Sequence, residues 1–185
     1  MSEYWLLRRL PEGAVDTLVF GLPQTWRNVD GLPGLSDAFL LAFGWQRLTE
    51  ATLSQADEAV AFPLVAASMK ARLAAYRYER ETGGMTVNGI AILTDRDSQG
   101  LIDSMQRLLA DEVIASVRFK SAAGTLIACN LALATALRSA VGVYVQGCRN
   151  KEADHAEALA ELDTAQERAA YDFTAGWPSS VVTVG

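Results

Sequence analysis

The feature that most constrains the fold is a long helical pattern that begins after Asn130 and extends through Leu162. Asn130 is a favourable N-cap, because its side-chain oxygen can accept from the free N–H groups of a first helical turn. Within the pattern, apolar side chains recur three or four residues apart, with one gap near Lys151. Such a stripe suits either an intramolecular bundle or a contact with a helix from another copy of the chain. The residues of this long-helix stripe are Leu137, Val141, Tyr144, Cys148, His155, Leu159 and Leu162.

Two glycines, Gly142 and Gly147, interrupt the long helical pattern. Each weakens a helix by about 1 kcal/mol relative to alanine. We therefore expect them to permit the close approach of a neighbouring backbone.

Two short β-hairpins are predicted ahead of the long helix. In MTVNGIAIL, two apolar strands flank Asn88-Gly89, the pair that best tolerates the positive φ angles of a type I′ turn. In the second hairpin, residues 117–120 and 125–128 flank the small residues Ala122, Ala123 and Gly124.

The segment TDRDSQG (94–100) resembles the opening of a calcium-binding loop, with alternating polar side chains and a glycine sixth from Asp95. The twelfth position of such a loop needs a bidentate carboxylate, and here it is Gln106. The alternative is a helix start, with Thr94 or Asp95 as the cap and Asp97 placed as in a capping box. A helical apolar stripe follows, so the segment predicts a helix cap and no metal site. The stripe consists of Leu101, Ile102, Met105, Leu108 and Leu109.

The N-terminal region predicts a small β-module. Residues 4–9 and 17–20 are expected to form strands joined by a turn at 11–13, and residues 45–48 a closing strand. After the strand at 17–20 comes a loop of about fourteen residues that is rich in proline and glycine. A short helix follows, which Ser36 caps and Gly44 ends, and it leads to the closing strand.

The tryptophan in this loop admits two interpretations. Trp26 can anchor a partner protein, since such side chains dominate interface energetics, or it can fold back onto the small N-terminal core. The candidate partner-binding residues of the module are Trp26, Arg27 and Trp45.

The remaining pattern predicts an α+β protein, with a small N-terminal β-hairpin module followed by a mostly helical domain that carries two short β-hairpins. Because proline breaks a helix interior, Pro63 is expected to begin a helix that runs to about Glu81, after a weaker segment at 54–61. Thr164 is expected to cap a last short helix. The predicted division is an attachment module (1–50), a linker (51–62), a helical domain (63–178) and a C-terminal tail (179–185).

Composition excludes several classes of function. Half of the 185 residues are hydrophobic, which supports a packed core, and the net charge of −6 argues against a nucleic-acid surface. No apolar run reaches the roughly 18 residues of a membrane span, and the N-terminus lacks the order of a signal peptide. Cys129 and Cys148 have no metal-ligand spacing, so buried free thiols are expected.

We find no sequence motif for catalysis. His155, the single histidine, falls on the long-helix stripe, where a packed or interfacial role is expected. GK[ST], GxGxxG and HExxH are all absent from the sequence. The expectation is therefore no catalytic residue, no metal and no cofactor.

Four segments carry a family resemblance. They are RYERETGGMTVNGIAILTDRDSQGLI, VRFKSAAGTLIA, the long helix with VYVQGC and KEADHAEAL, and the terminal GWP. In this order, from about Tyr76 to Pro178, they resemble the phage tail-associated domain-of-unknown-function family numbered 4376. One departure is Phe119, where the family tends to have tryptophan. The N-terminal TWRNVDGL and FGW also resemble leader modules of phage tail and fibre-region proteins.

The resemblance implies a structural component of a phage tail, at the tail tip or baseplate or where a fibre attaches. It implies other tail or fibre proteins as partners, a homo-oligomer with a trimer favoured, and a location in the virion after synthesis in the host cytoplasm. An alternative is a tail-fibre assembly chaperone that binds a fibre protein transiently and is absent from the mature virion. An enzyme such as a cell-wall hydrolase ranks third, because the resemblance transfers no active site.

Overall fold

The computed structural model describes residues 3–7, 17–49, 52–53 and 58–184, apart from the side chain of Val60. It has the predicted α+β class, with N-terminal strands followed by a mostly helical region that carries short antiparallel hairpins. The N-terminal elements are β1 (Tyr4–Leu7), β2 (Thr17–Phe20), β3 (Thr25–Trp26), β4 (Val29–Asp30), a 3₁₀ turn (Leu32–Gly34), α1 (Asp37–Ala42) and β5 (Trp45–Leu48). The later elements are α2 (Glu58–Thr82), β6 (Met85–Val87), β7 (Ile90–Ile92), α3 (Arg96–Ala110), β8 (Val117–Lys120), β9 (Leu126–Cys129), α4 (Leu131–Ala160), α5 (Ala165–Ala170) and β10 (Val181–Val182).

The chain divides into two compact units. The first combines Met1–Arg72 with Ala156–Phe173, and the second combines Leu73–His155 with Thr174–Gly185. The predicted boundary at residue 63 does not coincide with a boundary of these units, because α2 and α4 each contribute residues to both.

The first unit is built on a three-stranded antiparallel sheet with β1 between β2 and β5. All four residues of β1 are buried, as expected for a central strand that is covered on both faces. The predicted strand at 4–9 is confirmed over its described part, whereas Arg8, Arg9 and the turn at 11–13 lie outside the described residues. The unit's core cluster consists of Trp5, Leu7, Leu32, Leu40 and Trp45.

The proline- and glycine-rich loop contains more structure than its sequence predicts. Strands β3 and β4 form a two-residue hairpin in which Trp26 pairs with Val29. The turn residues Arg27 and Asn28 have φ angles of 48° and 66°, which is the left-handed conformation that a type I′ turn requires. No Asn-Gly pair is present at residues 27–28 to indicate such a turn, and an arginine at positive φ is uncommon.

The caps on either side of α1, the helix that follows this loop, match the prediction. The side chain of Ser36 accepts from the backbone N–H of Phe39 at 3.3 Å and so begins α1. Gly44, with a φ of 86°, follows the helix and leads into β5.

The interpretation of Pro63 as a helix start is wrong. Helix α2 begins at Glu58, and Pro63 is its sixth residue. Because a complete turn precedes it, Pro63 removes one helical hydrogen bond, and the helix forms in spite of this cost with Ala61 and Val65 buried on either side of the proline. Part of the predicted 51–62 linker is therefore helical, and residues 51 and 54–57 lie outside the described residues.

The second unit contains both predicted hairpins. Asn88 and Gly89 have φ angles of 48° and 80°, and Val87 pairs with Ile90 across them, so the type I′ turn is confirmed. Strands β8 and β9 pair antiparallel, with β9 one residue later than predicted. The core of this unit lies between α3, α4 and the β6–β7 hairpin.

The predicted C-terminal tail at 179–185 also needs correction. Within it, β10 pairs in parallel with β6, and the side chain of Asn88 donates to the carbonyl of Val184 at 3.0 Å and accepts from its N–H at 2.9 Å. The segment Val181–Val182 thus forms the third strand of a sheet ordered β10-β6-β7. Pairing between residues almost a hundred positions apart leaves no local signal in the sequence.

Helix α4 is long and apolar enough to cross a membrane by length and composition, with a mean hydropathy of 1.2 over its most apolar window. The expectation of no membrane span stays a prediction, because α4 meets only an average criterion and contains Arg138. The criterion is weak, because the core helix of a soluble protein also meets it. In α4, Leu137, Val141 and Cys148 are buried inside the chain, as is 39% of the apolar window.

Candidate functional site

The predicted partner-binding residues occupy different environments. Trp45 is 1 % exposed and lies in the core of the first unit. Trp26 is half-buried and packs edge-to-face on Trp45, with ring centroids 5.5 Å apart. Arg27 is exposed at the tip of the β3–β4 turn, 5.8 Å from the Trp26 ring centroid. Trp26 therefore folds onto the small N-terminal core and also keeps part of its ring at the surface.

Sequence reasoning missed an apolar surface on α1. Phe39 and Phe43 lie one turn apart, with their rings 5.0 Å apart, and Leu41 is 61 % exposed. On the other side of the same short helix, Leu40 is buried in the core. The sequence signal for this surface is the run AFLLAF at residues 38–43. All six residues are apolar, and a helix can turn only one side toward the core, so some of them must be exposed. We call Phe39 and Phe43 the α1 face, because Leu41, two residues from each of them, projects from another side of the helix.

The long-helix stripe is covered within a single chain. Leu137, Val141, Tyr144 and Cys148 are buried in the core of the second unit. His155 and Leu159 are buried as well, and Leu162 is half-buried. Self-association through this stripe would therefore require the chain to open.

His155 is packed against neighbouring groups. Its Nε2 lies 3.1 Å from the carbonyl oxygen of Ala175, and its ring stacks on Trp177 at a centroid distance of 5.7 Å. Trp177 in turn contacts Tyr76 edge-to-face at 5.3 Å. These contacts fix the GWP segment against α4 and α2 within the second unit.

The TDRDSQG segment is a helix cap. Asp95 is the N-cap of α3, and its Oδ1 accepts from the N–H groups of Asp97 and Ser98 at 3.1 and 3.0 Å. The Ser98 hydroxyl donates to Oδ2 at 2.7 Å, and these bonds lower the pKa of the Asp95 carboxyl. The capping box expected between Thr94 and Asp97 is wrong, because Thr94 Oγ1 accepts from the N–H of Gly84 instead.

A fully buried carboxylate, Glu81, organises the polar interior of the second unit. Its Oε2 accepts from Arg77, and its Oε1 lies 3.2 Å from Arg149 Nη2 and 3.6 Å from Arg96 Nη2. Arg77 also reaches Glu152 Oε2 at 3.1 Å. Burial alone would raise the pKa of Glu81, but the hydrogen bonds from Arg149 and Arg77 outweigh it and lower the pKa.

Neither thiol is activated. Cys129 and Cys148 are buried and free, as the sequence predicts. Burial raises the pKa of both thiols, which disfavours the reactive thiolate. Over the described ranges 3–7, 17–49, 52–53 and 58–184, no group of three or more His, Cys, Asp or Glu residues could hold a metal ion.

Together these features define an α+β protein whose described residues offer apolar and charged surfaces and a structural ion network. The model of one family, the Domain of unknown function (DUF4376), matches residues 65–175. The chain therefore belongs to this family. No curated protein and no solved structure shows significant similarity to the chain.

Proposed function

We propose that the protein is a structural component of a bacteriophage tail, at the tail tip or baseplate or at the attachment of a fibre, and that it acts by protein–protein assembly and not as an enzyme. The resemblance of the segments quoted above to phage tail-associated proteins supports this, and the family model, which assigns no function, matches residues 65–175. The N-terminal TWRNVDGL and FGW segments, which resemble tail and fibre leader modules, support the same assignment. The protein then resides in the virion and needs no cofactor.

The observation that carries an assembly role is the α1 face. Phe39 and Phe43 are exposed side by side at α1, in the unit that carries the predicted attachment module. Apolar side chains grouped at a surface mark protein interaction sites, whereas single ones need no explanation. We propose that the α1 face docks onto an apolar surface of another tail protein.

The β3–β4 turn contributes to the same attachment module. Its arginine and asparagine adopt the left-handed conformation that only glycine adopts without cost, and the turn presents the partly exposed Trp26 beside Arg27. Tryptophan and arginine are the residue types that most often carry binding energy at interfaces. Trp45 packs against Trp26 on the side of the core. Because Trp45 is itself buried, it positions Trp26 and does not contact a partner.

Incorporation into particles tests this function. Phage particles are assembled with either the natural protein or the Phe39→Ser/Phe43→Ser variant, and Val143→Ser on α4 is the exposed control. The natural protein and the control are expected in purified particles, whereas the folded double variant is expected to stay in the lysate. Equal incorporation of the double variant would show that the α1 face is not the docking surface. A natural protein found on fibres in the lysate and missing from particles would instead support the assembly chaperone.

A further inference from the structure

Helix α3 and strand β8 expose an apolar surface in the second unit. Leu101 and Leu108 are seven residues apart on α3 and so project from the same side of the helix. Leu93 before the helix and Val113 after it are also at least half exposed. Leu93 and Leu101 border a cleft of about 310 Å³ whose opposite wall is β8. We call Leu93, Leu101, Leu108 and Val113, together with the flanking charges described next, the α3 face.

The α3 face carries opposite charges at its two ends. Arg118 and Lys120 of β8 line the cleft beside Ser98, at the N-terminal half of α3. Asp111 and Glu112 are exposed at the C-terminal end of the helix. Among the residues that the structure describes, none of these four side chains forms an ion pair. Asp111 and Glu112 follow the end of α3, whereas Arg118 and Lys120 line a cleft bordered by Ser98, Leu101 and Met105, so the two pairs of charges lie at different positions along the helix.

The acidic residues Asp111 and Glu112 occupy positions at the end of α3 where other residue types are usually preferred. The backbone N–H of Glu112 donates to the carbonyl oxygen of Leu109 at 3.3 Å. The N–H of Val113 donates to the carbonyl oxygen of Leu108 at 3.1 Å, and the two bonds together form a Schellman motif. Glu112 occupies its left-handed position, with a φ of 55°, where glycine is the usual residue. Carboxylates at a helix C-terminus also oppose the helix dipole. Glu112 thus breaks two local rules, and within the described part of the chain its side chain forms no hydrogen bond or ion pair. Such a residue indicates a role outside its own fold.

We propose that the α3 face binds a second copy of this chain. When two copies pack antiparallel about a two-fold axis through the middle of α3, the exposed leucines of one copy cover those of the other. The same operation places Asp111 and Glu112 of each copy against Arg118 and Lys120 of the other, twice per dimer. A two-fold interface requires one self-complementary patch, and this face has an apolar middle and ends of opposite charge.

A second copy fits this face better than a foreign protein does, because the complementary pattern is present on the chain itself. The arrangement gives a dimer in place of the trimer that the family resemblance implies. It does not depend on the proposed tail function, since self-association can be measured on the purified chain.

A charge-swap experiment tests the dimer. The natural chain, Arg118→Glu/Lys120→Glu and Asp111→Lys/Glu112→Lys are each measured by sedimentation velocity and light scattering. The natural chain is expected to be a dimer, and each variant alone to bind itself at least about tenfold more weakly, because like charges then meet. An equimolar mixture of the two variants is expected to recover the dimer. Val143→Ser, exposed on α4, is the control and should leave the mass unchanged.

A second variant separates folding from association. Glu112→Gly relieves the positive φ, so its melting temperature, measured at a dilution where the natural chain is monomeric, is expected to rise. Its dimer is expected to be weaker than that of the natural chain. The proposal is overturned by a natural chain that stays monomeric at high micromolar concentration or forms a trimer. It is equally overturned by charge variants that dimerise normally or by a mixture that fails to associate.

Discussion

A β-carbon placed on Gly147 would lie 2.8 Å from Cγ of Pro178, which is closer than non-bonded carbon atoms approach in proteins. Gly147 lies inside α4, where glycine weakens a helix. The contact explains why a glycine is present there, because it lets the GWP segment pack directly on the helix. A close approach is thus present at Gly147, but the neighbour is a proline ring and not the backbone that was expected, and at Gly142 there is open space.

Gly147→Ala is expected to lower the free energy of unfolding by about 1 kcal/mol, because the clash with Pro178 exceeds the gain in helix propensity. Gly142→Ala in the same helix meets no atom and is expected to raise this free energy by about the same amount. Urea denaturation measures both. If the two substitutions stabilise the protein equally, the packing of Pro178 on Gly147 is contradicted.

Glu81→Gln is expected to lower the free energy of unfolding by about 3 kcal/mol at neutral pH, since it removes the buried charge that Arg77 and Arg149 surround. Glu152→Gln, which removes the partly exposed partner of Arg77, is expected to cost less than about 1 kcal/mol. Chemical denaturation of both variants measures the difference. Equal effects would mean that Glu81 does not organise the network.

The pH dependence of Glu81 follows from its lowered pKa. Such a group binds its proton more weakly in the folded state than in the unfolded chain. The contribution of Glu81 to the free energy of unfolding is therefore fully present above the pKa of the unfolded chain, about 4.3. It is lost as the pH falls through the lower pKa of the folded state. The stability difference between the natural protein and Glu81→Gln should shrink below about pH 4. A difference that stays constant down to pH 2 would contradict this account.

Gly89→Val is expected to destabilise the protein by about 1–2 kcal/mol, because a β-branched residue resists the φ of 80° at this position. No atom lies within 4 Å of a β-carbon there, so the cost arises from the backbone and not from a clash. Gly100→Ala in α3 is the control and should be neutral or stabilising, since it has ordinary helical φ and open space. Thermal melts compare the two, and an unchanged melting temperature for Gly89→Val would count against the turn.

No specific calcium binding is expected at TDRDSQG. Both carboxylate oxygens of Asp95 are already engaged in capping α3, and the twelfth position is Gln106. Isothermal calorimetry with calcium should show no micromolar site. A micromolar site that disappears in Asp97→Ala would overturn the helix-cap interpretation.

The parts of the fold that the sequence predicted are those with local causes. Asn88-Gly89, the Ser36 cap and the Thr164 cap each depend on residues within four positions, and all are present. Two errors arose from non-local causes. The pairing of β10 with β6 joins distant segments, and the start of α2 before Pro63 reflects packing that overrides a local preference.

The candidate surfaces were harder to predict for the same reason. Apolar periodicity identified the long-helix stripe, but it could not show that the stripe is covered within the chain. The α1 and α3 faces became visible only when the structure showed which apolar residues remain exposed. Glu112 has no sequence signal at all, because its unusual φ depends on where α3 ends.

Quantitative mass spectrometry of purified phage particles tests the proposed function most directly. The measurement counts copies of this chain per particle relative to a tail protein of known number, after the particles have been banded to remove lysate proteins. A structural tail component is predicted to be present at a fixed stoichiometry, unchanged by a high-salt wash. Absence of the chain from particles that are otherwise complete would contradict the account.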